Sequence, residues 1–286
     1  MQLERFETVE AFLAVAHDFL VEREAEHNLL LGICNTLLTA PGVYREPPYL
    51  AVVTHRGRVV GTSLQTPPWD VALSEMDDPR ALDAVVEDRL GESLPGVIGP
   101  APLAARFAEL WSERTGAPVK VAMRERAFRL SHVTTPRRVP GRMRAARAAD
   151  RELLFQWLSE FTDEALVGHL PADIGEVADR WVAGINRTMQ LWIDHGIPVS
   201  MAGVGSPTPH GIRIGPVYTP RDLRDRGYAS NLVAAACSAA LREGRRFCFL
   251  FTDLSNPTSN HIYQAIGFEP VTDVDRWSFG PASPQP

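Results

Sequence analysis

The run Ile214-Gly-Pro-Val-Tyr218-Thr-Pro-Arg-Asp-Leu-Arg224-Asp-Arg-Gly227-Tyr-Ala229-Ser contains the residue types that bind a phosphorylated ligand. It reads as a strand, a short charged loop and the start of a helix. A helix start presents unpaired backbone N–H groups and the positive end of a dipole, which suit a pyrophosphate. Gly227 has no Cβ, so an anion can approach the backbone closely. Ala229 keeps the same surface low, and Arg224 and Arg226 add positive charge beside the anion. Taken alone, the run also fits a glycine-capped helix with solvated arginines.

A second block follows. Phe247-Cys-Phe-Leu-Phe-Thr-Asp253 reads as a buried strand and leads at once into Leu254-Ser-Asn256-Pro-Thr-Ser-Asn260-His-Ile-Tyr263-Gln-Ala-Ile-Gly267-Phe268. Asn256 and Tyr263 stand two helical turns apart, so both side chains can face one groove. Gly267 stops the helix and Phe268 enters the core. Arg224-x-x-Gly227-x-Ala229 matches the Arg/Gln-x-x-Gly-x-Gly/Ala motif of the GCN5-related N-acetyltransferases. The second block resembles that family's Asn-x-x-(Ala/Ser)-x-x-x-Tyr-x-x-x-Gly-Phe signature, in the right order and at the right distance. The resemblance covers residues 142–275; residues 1–130 resemble the family in element order only.

The resemblance implies acetyl-CoA as co-substrate and direct transfer of its acetyl group to a primary amine. It implies that Arg224, Asp225, Arg226, Gly227, Tyr228, Ala229 and Ser230 hold the coenzyme A pyrophosphate. The Val217 and Tyr218 backbone would pair with the pantetheine arm as an added strand would. Asn256 would hydrogen-bond the same arm, and Asn260 would contact the cofactor or cap its helix locally. Tyr263 would protonate the departing sulfur; outside this context it would read as a core tyrosine. A lysine-like amine, pKa about 10.4, carries a deprotonation deficit of roughly 4–5 kcal/mol at pH 7, so a base or water relay is needed. Glu164, with its neighbour Asp163, is the candidate base, because that region borders the substrate cleft in the family. Two other readings stay open: a non-catalytic acyl-CoA-binding sensor or scaffold, for which Tyr263 has no use, and transfer of a longer acyl group.

The elements that position these residues follow from periodicity. Val9, Phe12, Leu13, Ala16, Phe19 and Leu20, then Leu29, Leu30 and Ile33, predict two amphipathic helices stopped at Pro41-Gly42. Tyr49–Val53 and Arg58–Leu64 predict strands around a turn at His55-Arg56-Gly57, followed by helices near 78–90 and 103–115. Thr134-Thr-Pro-Arg-Arg-Val-Pro-Gly141 reads as a linker between domains 1–133 and 142–286. Beyond it paired helices, a hairpin turning at His195-Gly196, further strands and two helices recur. Val97-Ile-Gly-Pro100 echoes Arg213-Ile-Gly-Pro216. The expected architecture is therefore a tandem α/β (α+β) protein, each half a mixed, mostly antiparallel sheet flanked by helices. The first copy is degenerate: Gly99-Pro-Ala-Pro-Leu-Ala-Ala-Arg-Phe107 lacks the motif, and its prolines remove backbone donors.

Composition narrows the classes further. With 286 residues, 45% hydrophobic and 22% charged, the chain is globular. A net charge of −6 argues against a nucleic-acid partner and suits a small-molecule or peptide amine. Cys34, Cys237 and Cys248 form no spaced pair and read as reduced thiols. His169, His195, His210 and His261 lack ligand spacing, so no metal is implied. No apolar run is long enough to span a membrane and no signal peptide is visible, which makes the cytoplasm the expected compartment. Nothing in the sequence speaks to oligomeric state.

Overall fold

In the computed structural model, which describes residues 1–40, 42–165, 173–184 and 186–281, the chain runs twice through one order of elements. The first pass is β1 (Gln2–Arg5), α1 (Val9–Glu22), α2 (Asn28–Thr39), β2 (Tyr49–His55), β3 (Arg58–Gln65), β4 (Val71–Leu73), α3 (Arg80–Asp88), β5 (Gly96–Pro100), α4 (Ala101–Thr115) and β6 (Val119–Leu130). The second is β7 (Arg142–Ala145), α5 (Arg151–Ala165), α6 (Ile174–Ala183), β8 (Arg187–Asp194), β9 (Ile197–Gly205), β10 (Gly211–Tyr218), α7 (Tyr228–Arg242), β11 (Phe247–Asp253), α8 (Pro257–Ile266) and β12 (Glu269–Phe279).

Local geometry repeats along with the order. Arg56-Gly57 joins β2 to β3 and His195-Gly196 joins β8 to β9, with φ of 50°, 75°, 47° and 83°. Positive φ at both central residues is the two-residue turn whose twist matches that of the flanking strands. A register shift precedes each turn at the same place, between Val53 and Thr54 and between Trp192 and Ile193. The tripeptide echo, in contrast, is no part of the repeat: Ile98-Gly99-Pro100 ends the fifth strand of its pass, and Ile214-Gly215-Pro216 lies within the fourth of the other.

Packing divides the chain into two compact units. The first comprises Met1–Ala127, Thr252–Ser255 and the segment from Val271 onward. Its strands run β1-β2-β3-β4-β5-β12-β6. The last strand of the chain is thus part of this unit, antiparallel to β5 with Trp277 opposite Val97, although the sequence order suggested the second half. Alternation along β2 sends Leu50 and Val52 to the α1–α2 face and Val53 to the α3–α4 face. Thr8 caps α1 by accepting the Ala11 N–H at 3.2 Å, and Val9, Phe12, Ala16 and Leu20 form its buried stripe.

The second unit comprises Phe128–Phe251 and Asn256–Pro270. Its strands run β11-β10-β9-β8-β7, antiparallel except for the parallel pair β10–β11. Met189 and Leu191 of β8 pack with Leu154, Trp157 and Trp181 of α5 and α6. Trp192 faces the other way, into a core with Leu232, Val233, Ala236 and Cys237 of α7. All three cysteines are buried and unpaired. Among the described residues no helix is long and apolar enough to cross a membrane, and no group of His, Cys, Asp and Glu is placed to hold a metal ion; His169 lies outside them.

Candidate functional site

In the second unit, β10 and β11 start as a parallel pair and then part. Gly211, Ile212 and Arg213 stand opposite Phe247, Cys248 and Phe249, and no later residue of β10 is in register with β11. From Ile214 to Tyr218 the strand keeps only β9, across a register shift between Ile214 and Val217. Gly203 of β9 makes room for this bulge. A Cβ there would sit 2.5 Å from the Gly215 carbonyl oxygen and 2.6 Å from the Trp181 ring. Among the described residues one backbone edge of β10 is left without a strand partner, in position to take an extended chain carrying amides.

The freed edge leads to the loop singled out in the sequence. A one-turn helix, Arg221–Leu223, precedes Arg224, and Gly227 caps α7 at φ 81°. Asp225 is also left-handed, at φ 62°. Such a backbone, followed by the free N–H groups of a helix's first turn, is a cradle for an anion. The Tyr228 hydroxyl donates to Asp194 Oδ2 at 2.7 Å, and that bond raises its pKa. Ala229 and Ser230 complete the turn.

The loop arginines are engaged by neighbouring acceptors. Arg224 gives Nη2 to Glu164 at 2.6 Å and Nε to the Thr219 carbonyl at 2.9 Å, and it lies 5.7 Å from the Tyr218 ring centroid. Arg221 holds the other oxygen of Glu164 at 2.9 Å. Partial burial works against the Glu164 charge, but the Arg224 and Arg221 hydrogen bonds outweigh it and hold the carboxyl below its usual range. Arg226 bonds the Asp222 carbonyl at 3.0 Å. One helical turn before Glu164, Glu160 accepts the Tyr218 hydroxyl at 2.8 Å and the Gln156 amide at 2.8 Å. Burial, then this carboxylate, pushes the Tyr218 phenol up to about 12. Sequence reading passed over Glu160, although its spacing from Glu164 put both on one helical face.

The second motif folds as a capped helix. Asn256 Oδ1 accepts the Ser259 N–H at 3.0 Å, and Asn260 Nδ2 donates to the Asn256 carbonyl at 2.8 Å. Tyr263 is half-buried, edge-on to Phe268 with centroids 6.0 Å apart. Its hydroxyl has no hydrogen-bond partner among the described residues, and burial, helped by Cys237, pushes its pKa up to about 12. The structure therefore joins Tyr218, Arg224 and Glu164 in one cluster, and Asn256 with Asn260 in another. Among the described residues the Tyr263 hydroxyl hydrogen-bonds to neither set.

The segment 134–141 is not a loose tether. Thr134 N–H bonds the Ile266 carbonyl at 2.7 Å, where a Cβ on Gly267 would lie 2.7 Å from the His132 carbonyl oxygen. Asn231 Nδ2 donates to the Arg137 carbonyl at 2.9 Å and to the Gly227 carbonyl at 3.0 Å. Val139 Cγ1 occupies the space in front of Gly227, 3.1 Å from where a Cβ would stand. Trp192 Nε1 then holds the Pro140 carbonyl at 2.9 Å. Both motif glycines are thus small partly because this strap crosses them, a reason sequence reading missed.

The first pass has no such cradle. Its matching loop, between β4 and α3, reads Ser74-Glu-Met-Asp77-Asp78-Pro79. Asp78 Oδ1 accepts the Arg80 N–H at 3.0 Å, so the start of α3 is served by the chain's own carboxylate. Asp77 pairs with Arg23.

Residues 142–268 match the model of the acetyltransferase (GNAT) family. No curated protein matches the chain. Among solved structures, a Drosophila melanogaster protein aligns at 14% identity over 98% of this chain and 99% of its own, with TM-score 0.72. A GCN5-related N-acetyltransferase from Sphaerobacter thermophilus aligns at 16% over 98% and 97%, TM-score 0.59. A tandem GNAT protein of the clavulanic acid biosynthesis pathway aligns at 17% over 99% and 100%, TM-score 0.56. At these identities the likeness is one of fold.

Proposed function

We propose that this chain, whose residues 142–268 match the acetyltransferase (GNAT) family, moves an acetyl group from acetyl-CoA directly to a primary amine. The observation that carries the reading is the edge of β10 left unpaired from Ile214 to Tyr218, which leads to the left-handed Gly227 at the start of α7. The bound thioester supplies the activated acyl group and a thiolate leaving group. The chain's residues supply the rest. The free edge of β10 aligns the pantetheine amides, and the first N–H groups of α7 hold the pyrophosphate. The Asn256 amide nitrogen, free of capping duty, reaches the pantetheine from α8.

Tyr263 gives its hydroxyl proton to the departing sulfur. A phenol raised to about 12 is fully protonated at neutral pH. A thiolate released into the same apolar surroundings loses the same solvation, so its proton affinity rises with that of the phenol. Glu164 serves this site by fixing Arg221 and Arg224, since protonating it would sacrifice two charge-assisted hydrogen bonds. Glu160 loses only neutral partners on protonation and takes the amine proton. A pure binder would have no use for the unpartnered Tyr263 hydroxyl.

The test is calorimetry with acetyl-CoA, followed by thiol release across a panel of primary amines and with longer acyl-CoAs. One saturable site and amine-dependent release are expected. Absence of binding would sink the reading, and binding without release for any amine would leave a sensor.

A further inference from the structure

On that reading the site has more phosphate charge to satisfy than its own loop can meet. Coenzyme A brings a pyrophosphate and a separate 3′-phosphate on its ribose. The pyrophosphate has the backbone N–H groups of α7. The separate 3′-phosphate would be met best by cationic donors such as arginine. Arg221 and Arg224 are both engaged by the Glu164 carboxylate, and Arg226 is turned back onto the Asp222 carbonyl.

The strap supplies two others. Arg137 and Arg138 are exposed, and neither guanidinium forms an ion pair among the described residues. Their backbone is fixed. The Arg137 carbonyl is bound by Asn231, whose other contact is the Gly227 carbonyl, and Val139 and Pro140 are held at Gly227 and Trp192. Both side chains therefore start within one helical turn of the pyrophosphate cradle, from a backbone that need not be ordered when ligand arrives. We propose that Arg137 and Arg138 bind the 3′-phosphate of coenzyme A, so that the segment joining the two passes is part of the cofactor site.

The test is titration calorimetry of the full chain with coenzyme A and with 3′-dephospho-coenzyme A, for wild type and the double variant Arg137→Gln/Arg138→Gln. Wild type should bind coenzyme A about tenfold more tightly than the dephospho form at low salt, equivalent to about 1.4 kcal/mol. The double variant should bind the two alike, with the affinity for the dephospho form within about twofold of wild type. A melting temperature equal to wild type is expected, because neither side chain has a partner to lose. Retained discrimination in the variant overturns the proposal, as does equal weakening of both ligands. Wild type that binds neither ligand overturns the cofactor reading instead, a result distinct from the other two.

Discussion

Replacing Tyr263 by phenylalanine isolates the chemical step. The hydroxyl has no hydrogen-bond partner among the described residues, so its removal orphans no donor or acceptor, and the ring contact with Phe268 at 6.0 Å stays. Stability should therefore change by less than about 0.5 kcal/mol, the range of substitutions that break no named interaction. If the hydroxyl protonates the leaving sulfur, its loss removes general-acid help worth about 10²–10³-fold. At about 1.4 kcal/mol per tenfold that is roughly 3–4 kcal/mol of barrier, several times any effect on folding. The assay is steady-state thiol release with the best amine of the panel, beside calorimetry with coenzyme A. The expected pattern is a fall in kcat with Kd for coenzyme A unchanged. The pH profile adds a check, since a phenol at about 12 cannot cause an alkaline loss of activity near pH 8 or 9. A variant within threefold of wild-type kcat, or one whose coenzyme A affinity falls in step with kcat, would refute the reasoning.

Glu160→Gln should lower kcat about 10–100-fold with coenzyme A affinity intact, and Glu164→Gln should leave kcat within about threefold; the reverse ranking would make Glu164 the base. Gly203→Ala forces a Cβ to 2.5 Å from the Gly215 carbonyl oxygen. It should cost about 1–3 kcal/mol in urea denaturation and weaken coenzyme A binding, and a neutral result would mean the bulge is not fixed by that contact. His27 is buried, giving Nδ1–H to the Leu20 carbonyl at 3.0 Å and accepting the Glu75 N–H at Nε2 at 3.1 Å; burial lowers its pKa. The unfolded chain thus takes up the proton first. The His27 contribution is complete above about pH 6.5 and is lost as pH falls below it. Urea midpoints at pH 7.5 and 5.5 should show this loss, and His27→Gln should show less of it; an equal loss in both would exonerate His27. Calorimetry should give one coenzyme A per chain, abolished by Gly227→Glu, whereas a second site would contradict the closed start of α3.

The turns at the two motifs were the most legible part of the sequence because glycines declare themselves. Gly227 and Gly267 are left-handed, at φ 81° and 109°, and no other residue adopts that geometry so cheaply. The hairpins at Arg56-Gly57 and His195-Gly196 were legible for the same reason. What sequence could not show falls into two kinds. β1, β4 and β7 have four, three and four residues, too few for alternation to register. The seating of β12 beside β5, and of Val139 against Gly227, are contacts between segments far apart in sequence. The pairing of Arg224 with Glu164, on another element, is a contact of the same kind.

The two passes differ most where the cofactor site is assembled. Both contain a fourth strand followed by a helix, and in both the fourth strand runs parallel to the fifth. β4 has three residues, all buried. Ala72 and Leu73 are in register with β3, and Val71 and Ala72 with β5, so the strand ends before either edge is free. β10 has eight residues, pairs with β11 through its first three, and continues past the bulge with one edge exposed to a ligand. Lengthening β4 alone would not restore a site in the first pass. The loop beyond it carries Glu75, Asp77 and Asp78, and Asp78 already occupies the start of α3. A free strand edge and an open helix start are both required, because a ligand with amides at one end and phosphates at the other must be satisfied along its whole length. The second pass keeps both, and the strap across Gly227 adds Arg137 and Arg138 to the arginines of its fourth-strand loop.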